Sequence, residues 1–343
     1  MQDRENPEFV NTKLFKNNVA SAAGKKLKRR EDIEGTLMAI SPFIGYILFG
    51  LFPMLLSLVV SFTELKSYDI TRMKFAGFDN YKAILTSEMF YTSVVNTLYY
   101  CLSVPVNMVS ALFIANLLTK PLKARGFART VLFLPSVCST VGVTLMWTWI
   151  YEANYGVINT FLSGIGLPKV GFMTSKEWFM PSVLFLSLWM GGTNIVLMQS
   201  ALANVDSSLK EAARIDGARE ITVFWKITFP GITPTLFYML IMNLIAAMQE
   251  MAIMQVITTN GVGPGYRAVT LTYYLYRMAF TNTATDGLGM GSALSWIVAI
   301  AIIIITRAGA FLHPYYNFTG KRDRGKQRRF YLVAANGIYF KGL

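Results

Sequence analysis

The stretch from Ser207 to Pro234 reads SSLKEAARIDGAREITVFWKITFPGITP and holds the densest set of side chains able to make directed contacts. Ser208 and Glu211 stand three apart, the spacing of a capping box, in which the hydroxyl takes a backbone N–H and the carboxylate returns to the amide of the cap. This predicts a short helix from Leu209 to about Ile221. Leu209, Ala212, Ala213, Ile215 and Ala218 recur at helical spacing and give it a partly apolar face, with Lys210, Arg214, Arg219 and Glu220 as polar positions. Gly217 falls in its middle, where glycine costs roughly 1 kcal/mol relative to alanine unless close packing or a bend requires it. Pro230 marks a second boundary. A short amphipathic helix of this kind either lies on a membrane surface or docks on a partner. Its residues alone leave both readings open.

Covalent chemistry has little to work with. The single histidine, His313, cannot build a histidine-rich zinc site. Cys101 and Cys138 lie inside apolar runs and form neither a CxxC motif nor a disulfide framework. No zinc-metalloprotease motif or serine-nucleophile elbow is present. There is also no Gly-x-x-x-x-Gly-Lys-Ser/Thr phosphate loop, so ATP hydrolysis is not expected on this chain. No catalytic, cofactor-binding or metal-binding residue is assigned.

The elements that must position these residues are set by where charge is missing. Charged residues make up 15% of the 343, against roughly 25% in an ordinary soluble domain. Glu34 and Glu64 bracket 29 uncharged residues, Glu88 and Lys120 bracket 31, and Arg129 and Glu152 bracket 22. Glu177 and Asp206 bracket 28, Lys226 and Glu250 bracket 23, and Asp286 and Arg307 bracket 20. A helix needs about 20 largely apolar residues to cross the hydrocarbon layer, whereas a barrel strand needs about 10 with alternating polarity. The pattern predicts an all-α, polytopic membrane protein. Its six spans run near 36–61, 94–118, 131–150, 180–201, 235–257 and 288–306. The first is a full span rather than a cleaved signal peptide.

The net charge of +13 is distributed unevenly. Of the 32 Lys and Arg, 24 fall before Glu34, between Lys120 and Arg129, between Asp206 and Lys226, and from Arg307 onward. The other three connectors share eight. Basic residues beside spans accumulate on the cytoplasmic side, so both termini are expected there. Lys25, Lys26, Lys28, Arg29 and Arg30 would anchor the first span at anionic headgroups. No aromatic-interleaved groove or reading helix accompanies the charge, so nucleic acid is not an expected partner. The expected organisation is a basic cytoplasmic tail over 1–33, a six-helix domain over 34–312 with a cytoplasmic loop at 204–230, and a second basic tail over 313–343.

The loop resembles a family pattern: Glu-Ala-Ala, three residues, Gly, nine residues, then Ile-x-x-Pro. Glu211, Ala212, Ala213, Gly217, Ile227 and Pro230 match it at every position. It is the EAA loop of the permease subunits of binding-protein-dependent bacterial ABC importers. The segment FAGFDNYKAILTSEMFYTSVVNT, from Phe75 to Thr97, is similar to the MalF-like carbohydrate branch, as is QVITTNGVGPG, from Gln255 to Gly265. The resemblance covers roughly residues 35–311. The chain departs from it in a long C-terminal end, FYLVAANGIYFKGL, and in Asn260 and Val262, which interrupt the usual glycine run.

The resemblance implies the six-helix fold of type I ABC importers, in the bacterial cytoplasmic membrane. The loop would be a coupling helix seated in a cleft of a separate ATPase. Glu211 would be its polar docking residue, Ala212 and Ala213 its packed face, Gly217 its bend, and Arg214 and Asp216 further polar contacts. ATP and Mg would be held by two cytoplasmic ATPase subunits. A second, non-identical permease, an extracytoplasmic solute-binding protein and membrane lipid are the other implied partners. The solute would be a sugar or oligosaccharide, or alternatively a polyol such as a glycerol phosphate.

The translocation path should be lined by polar groups within the bundle. Glu250 is the only acidic residue in an expected span, where an unpaired charge is costly unless it is wet. It is also the residue on which an ion-coupled secondary transporter would depend. Gln249, Asn243 and Asn194 are further candidates, with hydrogen bonding between helices as their alternative role. Tyr273 and Tyr276 would line an external vestibule, since aromatic faces suit sugars, or anchor at the interface.

Overall fold

The computed structural model describes residues 31–66, 71, 73–120, 124–281 and 287–312. The expected basic tails lie outside the described residues, except that Glu31–Ile33 already belong to a helix. His313 and the basic cluster at 25–30 also lie outside them.

Contacts divide the chain into two units, Met1–Ser61 and Phe62–Leu343. The first is described by one helix, α1 (Glu31–Ser61), 31 residues long and apolar enough to cross a bilayer. A π-helical turn at Ile47–Leu51 sits just before Pro53, which lacks the N–H that an α-turn would need.

The second unit is all-helical among the described residues, apart from one isolated bridge between Thr63 and Phe75. It begins with the short α2 (Asp79–Leu85) and the long α3 (Glu88–Thr119). These are followed by α4 (Arg125–Val137), α5 (Thr140–Ile150) and α6 (Val157–Gly164). Next come α7 (Lys176–Trp189), α8 (Gly192–Ala203) and α9 (Ser207–Ile215). The chain continues with α10 (Glu220–Met248), α11 (Ala252–Ile257), α12 (Leu271–Tyr276) and α13 (Gly287–Leu312).

Four helices, α1, α3, α10 and α13, are long and apolar enough to span a membrane, and the number rises to six if α4–α5 and α7–α8 each count as one broken span. The expected third span is bent by 103° between Val137 and Thr140. Its halves, 13 and 11 residues, reach only about 20 and 16 Å, short of a roughly 30 Å hydrocarbon layer. Cys138 and Ser139 are extended at the break, and serine is a residue type favoured where a new helix starts. The fourth expected span bends by 51° at Gly191. The fifth ends at Met248 rather than near Ile257, and a separate helix begins at Ala252. Pro230, in contrast, does not interrupt α10. A π-helical turn at Phe224–Thr228 widens the helix beneath it, where the proline ring would otherwise clash with the preceding turn.

The outer surface is apolar, unlike that of a protein in water. On α3 the exposed residues Val95, Leu98, Leu102, Val106, Val109 and Phe113 form one apolar stripe at helical spacing. The buried face of the same helix carries Ser93, Asn96, Thr97 and Ser103. Ile300, Ile303 and Ile304 are likewise exposed on α13, while Leu294 and Val298 are buried. Apolar surface of this extent is stable against lipid and not against water. The main core gathers Tyr100, Trp147, Phe179, Leu186, Met254 and Tyr273 from five helices, and a second cluster joins Ile84 and Phe90 to Leu294. Asn96 fastens α3 to the segment before α12 by donating to the carbonyls of Tyr266 at 2.8 Å and Val269 at 3.0 Å.

Candidate functional site

The loop resolves into two helical pieces joined by an elbow. The first piece, α9, starts two residues earlier than the capping-box spacing predicts. Asp206 caps it, its carboxylate accepting the Ser208 N–H at 2.8 Å. Aspartate is as good a cap as serine and its charge complements the helix dipole, so the earlier residue wins. The Ser208 hydroxyl and amide hold Asp206 below the usual carboxylate range.

The helix ends at Ile215, not near Ile221. Gly217 has φ +81°, the left-handed conformation that side chains resist. Its N–H donates to the Arg214 carbonyl at 3.0 Å and the Ala218 N–H to the Ala213 carbonyl at 2.9 Å. This pair of bonds is a Schellman cap, which satisfies carbonyls left open at the helix end. The mid-helix cost expected for Gly217 is therefore absent, because it lies just past the terminus. Arg214 reaches across the elbow to Glu220 in a two-pronged contact, Nε to Oε1 at 2.6 Å and a terminal nitrogen to Oε2 at 3.1 Å.

Exposure divides the matched residues. Ala213 is buried, while Glu211, Ala212, Arg214, Asp216 and Gly217 are exposed. Ala212 and Ala213 thus do not share one packed face within this chain. Leu209 and Ile221 are exposed, and Ile215 is 87% exposed. Leu209 and Ile215 stand on α9, and Ile221 stands in the first turn of α10.

The second region is a cavity of about 200 Å³ between the helices. Three interruptions meet there. Thr140 lines it from the first turn of α5, Met190 and Gly191 from the break between α7 and α8, Glu250 from the break between α10 and α11, and Ile253 from the first turn of α11. The Glu250 carboxylate accepts the Ile253 N–H at 2.8 Å and so caps α11. Carbonyls freed at the end of α10 are taken by hydroxyls: Thr272 donates to Met248 and Thr270 to Glu250, each at 2.9 Å. Fixed partners of this kind allow a helix to stop inside a bundle.

Asn194 and Asn243 both line the cavity and exchange hydrogen bonds of 3.2 and 3.4 Å. They therefore hold α8 to α10 as well as facing the space. Gln249 is exposed and does not line it. Tyr273 is fully buried and donates its hydroxyl to the Gly261 carbonyl at 2.8 Å. Tyr276 stacks on it with ring centroids 6.5 Å apart, and neither tyrosine lines the cavity. Sequence reasoning missed Asn107, Thr140, Ser103 and Ser187, which also line it. Asn107 carries the same signal as Asn194, an amide inside an apolar run; the hydroxyls gave none, since Ser and Thr are common in membrane helices and bond their own backbone, as Ser187 does to Leu184.

The family described as binding-protein-dependent transport system inner membrane component matches residues 83–317. The probable ABC transporter permease protein YesP of Bacillus subtilis (strain 168) is 34% identical over 295 residues, covering 84% of this chain and 93% of the relative. The lactose transport system permease protein LacF of Rhizobium radiobacter is 28% identical over 294 residues, 84% of this chain and 96% of its own length. A chain in the crystal structure of a bacterial alginate ABC transporter in complex with alginate pentasaccharide-bound periplasmic protein superposes with a TM-score of 0.71. That match covers 85% of this chain and 96% of the other at 24% identity, a likeness of fold. With an apolar outer surface, interrupted helices around a polar space and this match over most of its length, the chain belongs to the family of binding-protein-dependent transport system inner membrane components, the transport permeases.

Proposed function

We propose that this protein is one permease subunit of an ATP-driven importer of sugars or oligosaccharides and forms half of the translocation path. The observation that carries this reading is the convergence of three helix interruptions on one polar cavity. Backbone breaks at membrane depth are tolerated where they line a watery space, and discontinuous helices mark solute sites in many transporters. At about 200 Å³ the cavity is smaller than the roughly 300–1,000 Å³ of sites that enclose a small ligand. A second, non-identical permease would supply the facing wall. The six-span type I arrangement counts each bent pair as one crossing. Both termini and the α9 elbow then face the cytoplasm of a bacterial cell, in agreement with the distribution of Lys and Arg.

In this reading α9 is the coupling helix. Leu209 and Ile215 provide its apolar contact with a cytoplasmic ATPase subunit, Glu211, Arg214 and Asp216 its polar ones, and Gly217 its bend. Two ATPase copies hold ATP and Mg, and an extracytoplasmic binding protein delivers the solute. The likeness to the lactose transport system permease protein LacF supports the sugar class.

Co-expression and reconstitution of the chain with its partner permease, ATPases and binding protein is the test. The expected result is uptake that requires ATP and all partners, with ATPase activity only in the assembled complex. Uptake that persists without the ATPases but collapses with the proton gradient would replace this reading with an ion-coupled one centred on Glu250.

A further inference from the structure

Resting on the assignment of the cavity as the solute path, we propose that this chain's half of it selects uncharged, hydroxyl-rich solutes and rejects anionic ones such as uronates and sugar phosphates. The lining contains the amides of Asn107, Asn194 and Asn243, the four hydroxyl side chains of Tyr100, Ser103, Thr140 and Ser187, and the carboxylate of Glu250. None of the described residues that line it is Lys, Arg or His. A phosphate or carboxylate group offers only acceptors and normally demands a cation or several N–H donors. Here it would meet the Glu250 carboxyl group and no cation.

A second observation points the same way. The Asn107 Oδ1 is buried and has no hydrogen-bond partner, although its Nδ2 donates to the Ser187 hydroxyl at 3.4 Å. A buried acceptor left open is costly and is answered by a donor. The oxygen lies against Gly191, where a Cβ would come within 2.7 Å of it, so no side chain from that position can fill the need. Different hydroxyls of one sugar can donate to Asn107 and to Glu250 while accepting from amide N–H groups. A carboxylate or phosphate dianion can satisfy neither acceptor. The lining therefore matches the hydroxyl, which is donor and acceptor at once, and opposes the anion twice.

The assembled transporter, purified without its binding protein, is titrated calorimetrically with cellobiose and with the matched disaccharide whose terminal CH₂OH is oxidised to a carboxylate. The neutral sugar is expected to bind at least tenfold more tightly, about 1.4 kcal/mol, and Glu250→Gln is expected to narrow that gap. Equal or tighter binding of the acid, or a gap that Glu250→Gln leaves unmoved, overturns selection by charge while leaving the path in place. Ala246→Trp is the control for the path itself, since Ala246 lines the cavity and is exposed to it. Binding of both sugars undiminished in Ala246→Trp, or of neither in the unaltered complex, removes the cavity as the solute site and this inference with it.

Discussion

The α9 elbow and the cavity are built by opposite means. The elbow is local: its cap, its Schellman bonds and its Arg214–Glu220 contact join residues no more than six apart. Around Gly217 nothing lies within 4 Å of where a Cβ would stand, so only backbone conformation holds glycine there. The cavity is assembled over long range, and its backbone is crowded. A Cβ on Gly192 would come within 2.7 Å of the Leu132 carbonyl and 3.0 Å of the Phe133 Cα, both backbone atoms of α4. A handle that must fit another protein can be specified by a short sequence. A polar space within a membrane needs several helices to stop in register.

This contrast can be broken most forcefully at the two glycines. Gly192→Val should push α8 from α4 and cost about 1–3 kcal/mol through overpacking against unyielding backbone. The expected result is a large drop in folded protein recovered from membranes, measured by size exclusion in detergent; normal recovery would mean that α4 and α8 are not tightly joined. Gly217→Val should instead leave recovery unchanged, with local strain of about 1–2 kcal/mol from its positive φ. Its effect should fall on ATP-driven uptake, reduced at least tenfold in proteoliposomes. If Gly217→Val lost protein from the membrane as Gly192→Val does, the elbow would not be an independent local unit.

A smaller effect is expected at the amide pair. Asn194→Leu and Asn243→Leu, separately and together, should show a coupling of about 1 kcal/mol in a double-mutant cycle on unfolding, as for other hydrogen bonds between membrane helices. Strict additivity would mean that the two amides serve the cavity alone. The smallest effect belongs to Asp206. Its carboxyl titrates below the usual carboxylate range in the folded elbow, so the cap is fully present above about pH 4 and is lost as pH falls through the lowered value. Amide exchange in α9 should accelerate over that acid window, and Asp206→Ala should exchange fast throughout and without this pH dependence.

The same contrast explains what was legible in the sequence. Glu211, Ala212, Ala213, Gly217 and Pro230 carry a local spacing, and the apolar runs locate helical, membrane-spanning material in their charge-free windows. The helix breaks were not legible, because their causes are remote. Thr270 and Thr272 take carbonyls at the end of α10 from 20 and 24 residues away, and Glu250, read as a charge needing water, caps α11 as well as lining the cavity. Tyr273 could not be told from a vestibule residue until the Gly261 carbonyl was found beside its hydroxyl. Asn194 was visible as an amide in an apolar run, but its pairing with Asn243 depends on how α8 and α10 are placed.

The π-helical turn beneath Pro230 has a mechanical consequence. By absorbing the proline it leaves α10 unbroken over 29 residues, a rod of about 44 Å, longer than the hydrocarbon layer is thick. Swinging such a rod by about 5° around one end displaces the other by roughly 4 Å. One tip adjoins the Gly217 elbow and the other stops beside Glu250, so a tilt imposed at the elbow would be carried to the cavity.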